Sequence, residues 1–200
     1  MANASPLNIK VITGTTRPNR FSEKAADWIF DILKTNGNVN SELLDLRDYP
    51  LPFYNEPITP SMFNGKYPSE TVEKWAKKIE EADGYIIVTA EYNHGYPAVL
   101  KNALDYVYTP WNKKAVAFVA YGGVGGGRSV EQLREVCIEL QMAPIRNAVH
   151  IPAQWHMLEQ DGGLKAGSLD PFKPAAEGML AQLLWWAGAL KTARTSDTIK

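Results

Sequence analysis

Short apolar runs, each followed by a glycine-bearing loop and then by a helical pattern, constrain this chain more than any other feature. Three such loops stand out: Gly14-Thr15-Thr16-Arg17-Pro18-Asn19-Arg20, Ala90-Glu91-Tyr92-Asn93-His94-Gly95-Tyr96 and Tyr121-Gly122-Gly123-Val124-Gly125-Gly126-Gly127-Arg128. Ile9 to Thr13, Ser41 to Leu46, Gly84 to Thr89, Ala115 to Tyr121 and Asn147 to Ile151 read as strands, the second weakened by Glu42 and Asp45. Helical spacing begins at Ser22, with Ala25, Trp28, Ile29, Ile32 and Leu33 on one face. It recurs after Ser69, over Ala98 to Tyr106, over Ser129 to Leu140 and over Ala175 to Lys191. Strand and helix in alternation imply parallel strands joined by right-handed crossovers, with helices on both faces of the sheet.

About five strands on this pattern fit a flavodoxin-like α/β fold, a three-layer sandwich whose parallel sheet runs in the order 2-1-3-4-5. That order gathers the three glycine loops at one sheet edge, around a crevice where a ligand can lie against backbone amides. The 200 residues suffice for one well-buried domain, taken here as residues 1–200 with a core of about 8–191. Residues 47–68, dense in proline and aromatics, make the longest irregular stretch, a length that in compact domains accompanies function or mobility. The polar residues after Lys191 are expected to fray.

A formal net charge of -1 argues against a polyanion partner, so no nucleic acid is expected. The single cysteine, Cys137, rules out an internal disulfide framework and a Cys-rich zinc site. The first ten residues lack the apolar core of a signal peptide, and no stretch approaches the ~20 apolar residues of a membrane span. The expectation is a cytoplasmic protein with no membrane partner and no metal.

Chemically, the three loops differ. In the first, Thr15, Thr16 and Ser22 offer hydroxyls, Arg17 and Arg20 offer guanidinium forks, and the following helix N-terminus offers amides, which together would cradle a phosphate monoester. The same loop is equally well a strand-to-helix turn whose Ser22 caps the helix and whose arginines point into water. It contains neither the Gly-Lys-Ser/Thr of a nucleotide-hydrolysing loop nor Gly-x-Gly-x-x-Gly. The second loop brings Glu91, Tyr92 and Asn93 to the crevice, and nothing places Glu91 and His94 within reach of a nucleophile. The third is nearly bare backbone, able to approach a ligand closely or to act as a flexible turn. The set suits a phosphorylated, planar heterocycle.

These loops, together with Glu91 through Tyr106 read as one signature and Leu46-Arg47-Asp48-Tyr49-Pro50-Leu51-Pro52, resemble the NAD(P)H-dependent FMN reductase family over roughly Lys10 to Ile151. Ala90 departs from the proline common at that position in the family. The resemblance implies an FMN cofactor with NAD(P)H as co-substrate, NADPH favoured. It assigns Thr15, Arg17, Arg20 and Ser22 to the FMN phosphate, Glu91, Tyr92 and Asn93 to the ring, largely through main chain, and Gly122 and Gly123 to its pyrimidine end. No catalytic side chain is implied, because hydride passes from nicotinamide to flavin N5 and then, by a ping-pong mechanism, to a small acceptor such as a flavin, quinone, azo compound or chromate. It also implies a homodimer or homotetramer. Tyr54, Phe63, Tyr67, Trp111 and Trp155 are candidate walls of the ring face, and Trp185 and Trp186 are assigned to core or interface. Lys101, Asn102 and Asp105 match the signature and read as helix capping and packing residues. Two rivals share the fold: a flavodoxin-type electron carrier without NAD(P)H turnover, and a nonenzymatic binding module.

Overall fold

The two most apolar runs become the two most deeply covered strands. In the computed structural model, which describes residues 5–196, β3 (Gly84–Ala90) and β4 (Ala115–Gly122) are buried at every position, as parallel strands covered on both faces must be. β1 (Leu7–Thr13) flanks β3, and β2 (Val39–Asp45) forms the edge beyond it. All pairings are parallel, and with a fifth lane beyond β4 the sheet has the flavodoxin-like order read from the sequence. The weak pattern of β2 reflects its edge position, where Glu42 pairs with Lys10 and with Lys78 at 2.7 Å, and Asp45 pairs with Arg20.

The fifth lane differs from the single strand expected over Asn147 to Ile151. It consists of two short pieces, β5 (Ala143–Pro144) and β6 (Val149–Pro152), both paired with β4. Side chains satisfy the backbone between them: Arg134 donates to the carbonyls of Ile145 and Arg146 at 2.6 and 2.9 Å, and Gln182 Oε1 accepts from the Asn147 amide at 2.9 Å. A ladder can break wherever its polar groups find other partners.

Helices α1 (Phe21–Lys34) and α5 (Lys173–Thr195) bury one face of the sheet over Val11, Ile86 and Val119. The other face, over Ile12, Ile87 and Phe118, is covered by α2 (Glu70–Glu80), α3 (Ala98–Asp105) and α4 (Gly127–Glu139). Ser69 caps α2 through the Val72 amide, as its sequence position predicts. α5 continues beyond the expected fraying point at Lys191, because Lys191 and Arg194 bind the buried Asp83 at 2.8 and 2.9 Å. The rest of the expected tail, residues 197–200, lies outside the described residues, as do residues 1–4. Trp185 and Trp186 are not core residues, being 68% and 39% exposed. Among the described residues no helix is long and apolar enough to cross a membrane.

Asn102, on α3, fastens the proline-rich stretch that follows β2. Its Nδ2 donates to the Leu51 and Pro52 carbonyls at 3.3 and 2.7 Å, and its Oδ1 accepts from the Tyr54 amide at 2.9 Å. Neighbouring Lys101 and Asp105 form an ion pair along the helix at 2.6 Å. Shielded backbone groups left without partners cost roughly 1–3 kcal/mol each. Asn102→Ala is therefore expected to destabilise the protein by about 2–3 kcal/mol in urea unfolding, with loss of hydrogen-exchange protection at the Tyr54 amide.

Candidate functional site

Gly14 has no room for a side chain: a Cβ there would lie 2.9 Å from the Val88 carbonyl oxygen of β3. The chain passes this close approach and opens into residues 15–20. Helix α1 then begins at Phe21, with Arg20 as N-cap and no side chain closing its first turn. Its leading amides therefore remain available as donors at the positive end of the helix. Arg17 is exposed, its guanidinium 5.9 Å from the centre of the Tyr92 ring. Arg20 is wholly buried, with Nη1 donating to the Thr15 carbonyl and Nη2 to Glu23 at 3.2 Å and to Asp45. Its Nε is buried without a partner. Beneath the loop the Thr15 and Ser22 hydroxyls bond to each other. Burial pushes the Tyr121 phenol above its ordinary range, and its hydrogen bonds to Ser22 and Thr15 pull the other way.

The second loop is a tight reversal. Tyr92 and Gly95 exchange amide-to-carbonyl bonds of 2.8 and 3.2 Å, leaving Asn93 and His94 at the tip with φ of 50° and 76°. Both central residues are left-handed, as in the turns where Asn-Gly is preferred. His94 thus occupies a position better suited to glycine, and Gln132 of α4 steadies it by donating to its carbonyl at 3.0 Å. Both tip side chains face solvent. The Glu91 carboxylate turns toward the third loop, where it accepts from Arg128 Nη1 at 2.8 Å and from the Arg128 amide at 3.2 Å.

In the third loop, Gly126 is the N-cap of α4 at φ 72°, and a Cβ there would strike Ala120 Cβ at 2.7 Å and the Tyr121 amide at 2.8 Å. No other residue fits. The amides of Gly123 and Val124 donate to no acceptor among the described residues.

These loops enclose a cleft of ≈ 310 Å³ lined by Arg17, Asn19, Arg20, Phe21, Glu91, Tyr92, Tyr121, Gly122, Gly123, Gln154, Trp155 and Leu158. Of the residues read from the sequence, Arg17, Arg20, Glu91, Tyr92, Gly122 and Gly123 meet there. Thr15 and Ser22 lie buried beneath the first loop, and Asn93 lies at the outer turn. A larger cleft of ≈ 610 Å³ lies at the opposite edge of the sheet, lined by Lys77, Lys114 and Arg194 among others. Lys114 there donates to the last carbonyls of α2 at 2.7 and 2.8 Å, and burial pulls its amine down to about 7. Neither the first nor the third glycine loop lines that cleft. The smaller cleft has what an anionic, planar ligand requires: uncapped helix amides, a free guanidinium and a bare backbone edge.

The sequence matches the NADPH-dependent FMN reductase family over residues 7–156. The chain belongs to that family. It is 41% identical over 146 residues to an NAD(P)H-dependent FMN reductase of Schizosaccharomyces pombe, covering 72% of this chain and 73% of the relative. An NAD(P)H:quinone oxidoreductase of Solanum tuberosum is 35% identical over 147 residues, covering 71% and 73%. Among solved structures, the flavoenzyme NAD(P)H:(acceptor) oxidoreductase of Paracoccus denitrificans superposes with a TM-score of 0.69 over 90% of this chain and 98% of that one, at 20% identity. That likeness is one of fold.

In this FMN reductase relative, sequence reasoning missed Asn19, Phe21, Tyr121, Gln154 and Leu158 as cleft residues. The signal for Gln154 and Leu158 was topological, since the loop after the fifth lane starts at the same carboxyl edge as the others. Of the aromatic wall candidates, only Trp155 reaches the cleft. Trp111 is fully buried against Tyr85 and Trp75, Tyr54 packs edge-on to Tyr106, and Phe63 packs on Tyr67. Cys137 is buried on α4, its thiol pushed up to about 12, so it is no nucleophile at neutral pH. Gly126→Ala is expected to lower stability by roughly 2–3 kcal/mol and to displace the third loop, read as a thermal shift together with changed amide chemical shifts at Gly122 to Arg128.

Proposed function

We propose that this protein is an FMN-containing oxidoreductase that takes hydride from NAD(P)H, with NADPH the favoured donor, and delivers it to a small acceptor such as a free flavin, a quinone, an azo compound or chromate. The observation that carries the reading is the uncapped N-terminus of α1 opening onto the same cleft as the bare Gly122–Gly123 edge. FMN, when bound, supplies the N5 centre through which nicotinamide and acceptor alternate at one open face, the basis of ping-pong kinetics.

The chain's own residues fit that group. Arg17 and the amides of the first loop and first helical turn hold the phosphate, while Thr15, Arg20 and Ser22 set the shape of the loop from beneath. The unpartnered Arg20 Nε is the donor left over once the rest of that guanidinium is paired with protein. Glu91 and Tyr92 would line the ring through their backbone, with the Glu91 carboxylate held by Arg128 and Asn93 left at the outer turn. The Gly123 amide would serve the pyrimidine end, where a donor would stabilise negative charge on the reduced ring. Trp155 stands beside this edge, its ring 3.8 Å from where a Gly123 Cβ would be. Arg128 uses only Nη1 and its amide on Glu91, so the rest of its guanidinium is available to the additional phosphate of NADPH.

The same reading takes the chain as one FMN-binding domain that works as a homodimer or homotetramer. Phe53, 81% exposed, and Met62, 62% exposed, support an apolar contact on the flank held by Asn102. A cytoplasmic location is supported by the unpaired, buried Cys137. The relatives carry the names of reductases, and no observation favours the electron-carrier alternative.

Protein reconstituted with FMN is expected to oxidise NADPH continuously under air and to give parallel double-reciprocal plots when the acceptor is varied. Retained FMN without turnover would indicate the carrier. Arg17→Ala is expected to raise the FMN dissociation constant roughly 10- to 100-fold, measured by quenching of flavin fluorescence, with little change in affinity for riboflavin, which lacks the phosphate.

A further inference from the structure

Four buried side-chain atoms among the described residues lack hydrogen-bond partners: Arg20 Nε, Trp111 Nε1, Gln154 Oε1 and Ser168 Oγ. Arg20 and Gln154 both line the cleft, and each carries a buried polar atom without a partner, a donor on Arg20 and an acceptor on Gln154. Such groups are costly in a folded protein, and each calls for a partner such as a bound water, ion or ligand, or for a functional role.

The backbone around Gln154 is held in a demanding shape. Ala153 sits in the left-handed region at φ 48°, a conformation that a residue with a Cβ adopts at a cost. Its amide donates to the Gly122 carbonyl at 2.9 Å, and its carbonyl accepts from the His156 amide at 3.0 Å. Lys165 fastens the far side of the turn, its amide donating to the Met157 carbonyl and its Nζ to the His156 carbonyl, both at 2.8 Å. The turn therefore lies fixed against the third glycine loop, with Gln154 on the cleft side and Trp155 beside Gly123.

The chemistry of this end of the cleft is one-sided. Gly123, on the cleft, provides an amide donor without an acceptor among the described residues, which suits a carbonyl oxygen. A flavin's pyrimidine ring presents two carbonyls with a single imide N–H between them, and an amide donor cannot serve that N–H. A carboxamide oxygen can. The Gln154 Oε1 is at present turned out of solvent, and the broad terminal torsion of a glutamine side chain allows it to turn to the cleft face without moving the backbone.

We propose that Gln154 binds the flavin by accepting the imide N–H, and that it is the residue by which this cleft selects an unsubstituted flavin imide. The proposal rests on the FMN reading above and adds to it a residue and a selectivity. Gln154 would then hold the pyrimidine end of the ring while the first loop holds the phosphate, so ring and tail would be anchored by separate parts of the chain.

Flavin-free protein titrated with FMN and with 3-methyl-FMN tests this by fluorescence quenching. Wild-type protein is expected to bind FMN about tenfold or more tightly than the methylated analogue. Gln154→Leu is expected to weaken FMN about tenfold and to bring the two ligands within about twofold of each other. Gln154→Glu, which keeps an acceptor, is expected to retain the preference for FMN and to move the bound flavin's midpoint potential to more negative values. Equal affinities of wild-type protein for the two ligands would overturn the proposal, as would a preference that survives in Gln154→Leu. Wild-type protein that binds neither ligand would instead overturn the FMN reading itself, and the proposal with it.

Discussion

A fully buried guanidinium governs the first loop. Arg20 has no contact with solvent, and a charge in that position persists only when it is paired and hydrogen-bonded on several sides. Asp45 at the end of β2, Glu23 on α1 and the Thr15 carbonyl meet that need. Together they bind three consecutive parts of the chain, the loop, the helix and the neighbouring strand, into one arrangement. The N-cap position itself is held by this arginine, whose guanidinium only donates and so cannot accept from the helix amides. The first turn of α1 is left open because its cap residue carries no acceptor.

The same division of labour recurs in the other loops. Glu91 reaches across to Arg128 and ties the second loop to the third. Arg47, beyond β2, donates to the Thr16 and Arg17 carbonyls at 3.3 and 2.7 Å and shares Glu23 at 2.9 Å. Charged side chains act as struts between loops, and backbone amides are left without protein partners beside the cleft. Such a site is preorganised, since amides fixed by struts need little rearrangement when charge arrives or develops. It also explains how one fold can offer a phosphate cradle and a ring platform with few side chains touching either.

Much of this was legible in the sequence. The strand order and the meeting of the three loops follow from alternation and crossover handedness, which depend on the pattern as a whole. What a charge type cannot reveal is whether it serves as strut or ligand: Arg17 and Arg20 sit three residues apart, and only the position of Asp45 and Glu23 separates the exposed one from the buried one. Aromatics pose a similar ambiguity. The buried stripe of α5, at Ala176, Met179, Leu180, Leu183 and Ala187, has helical spacing and excludes Trp185 from its face, so periodicity is a better guide there than hydrophobicity. Trp111, by contrast, lies in an irregular segment with no periodicity to consult, and its full burial is set by Tyr85 and Trp75 from distant parts of the chain. Gln154 was hidden for a related reason, because topology locates its loop and only the three-dimensional packing shows an acceptor without a partner.

In the proposed function, the open turn of α1 captures a phosphate dianion. Phosphorus NMR of the FMN-loaded protein reads that group alone. A phosphate monoester free in water takes up its second proton near pH ~6, whereas one held by helix amides and Arg17 is predicted to give a shifted resonance that stays dianionic from pH 5 to 8. A resonance that remains at the position of free FMN and titrates through that range would contradict the account.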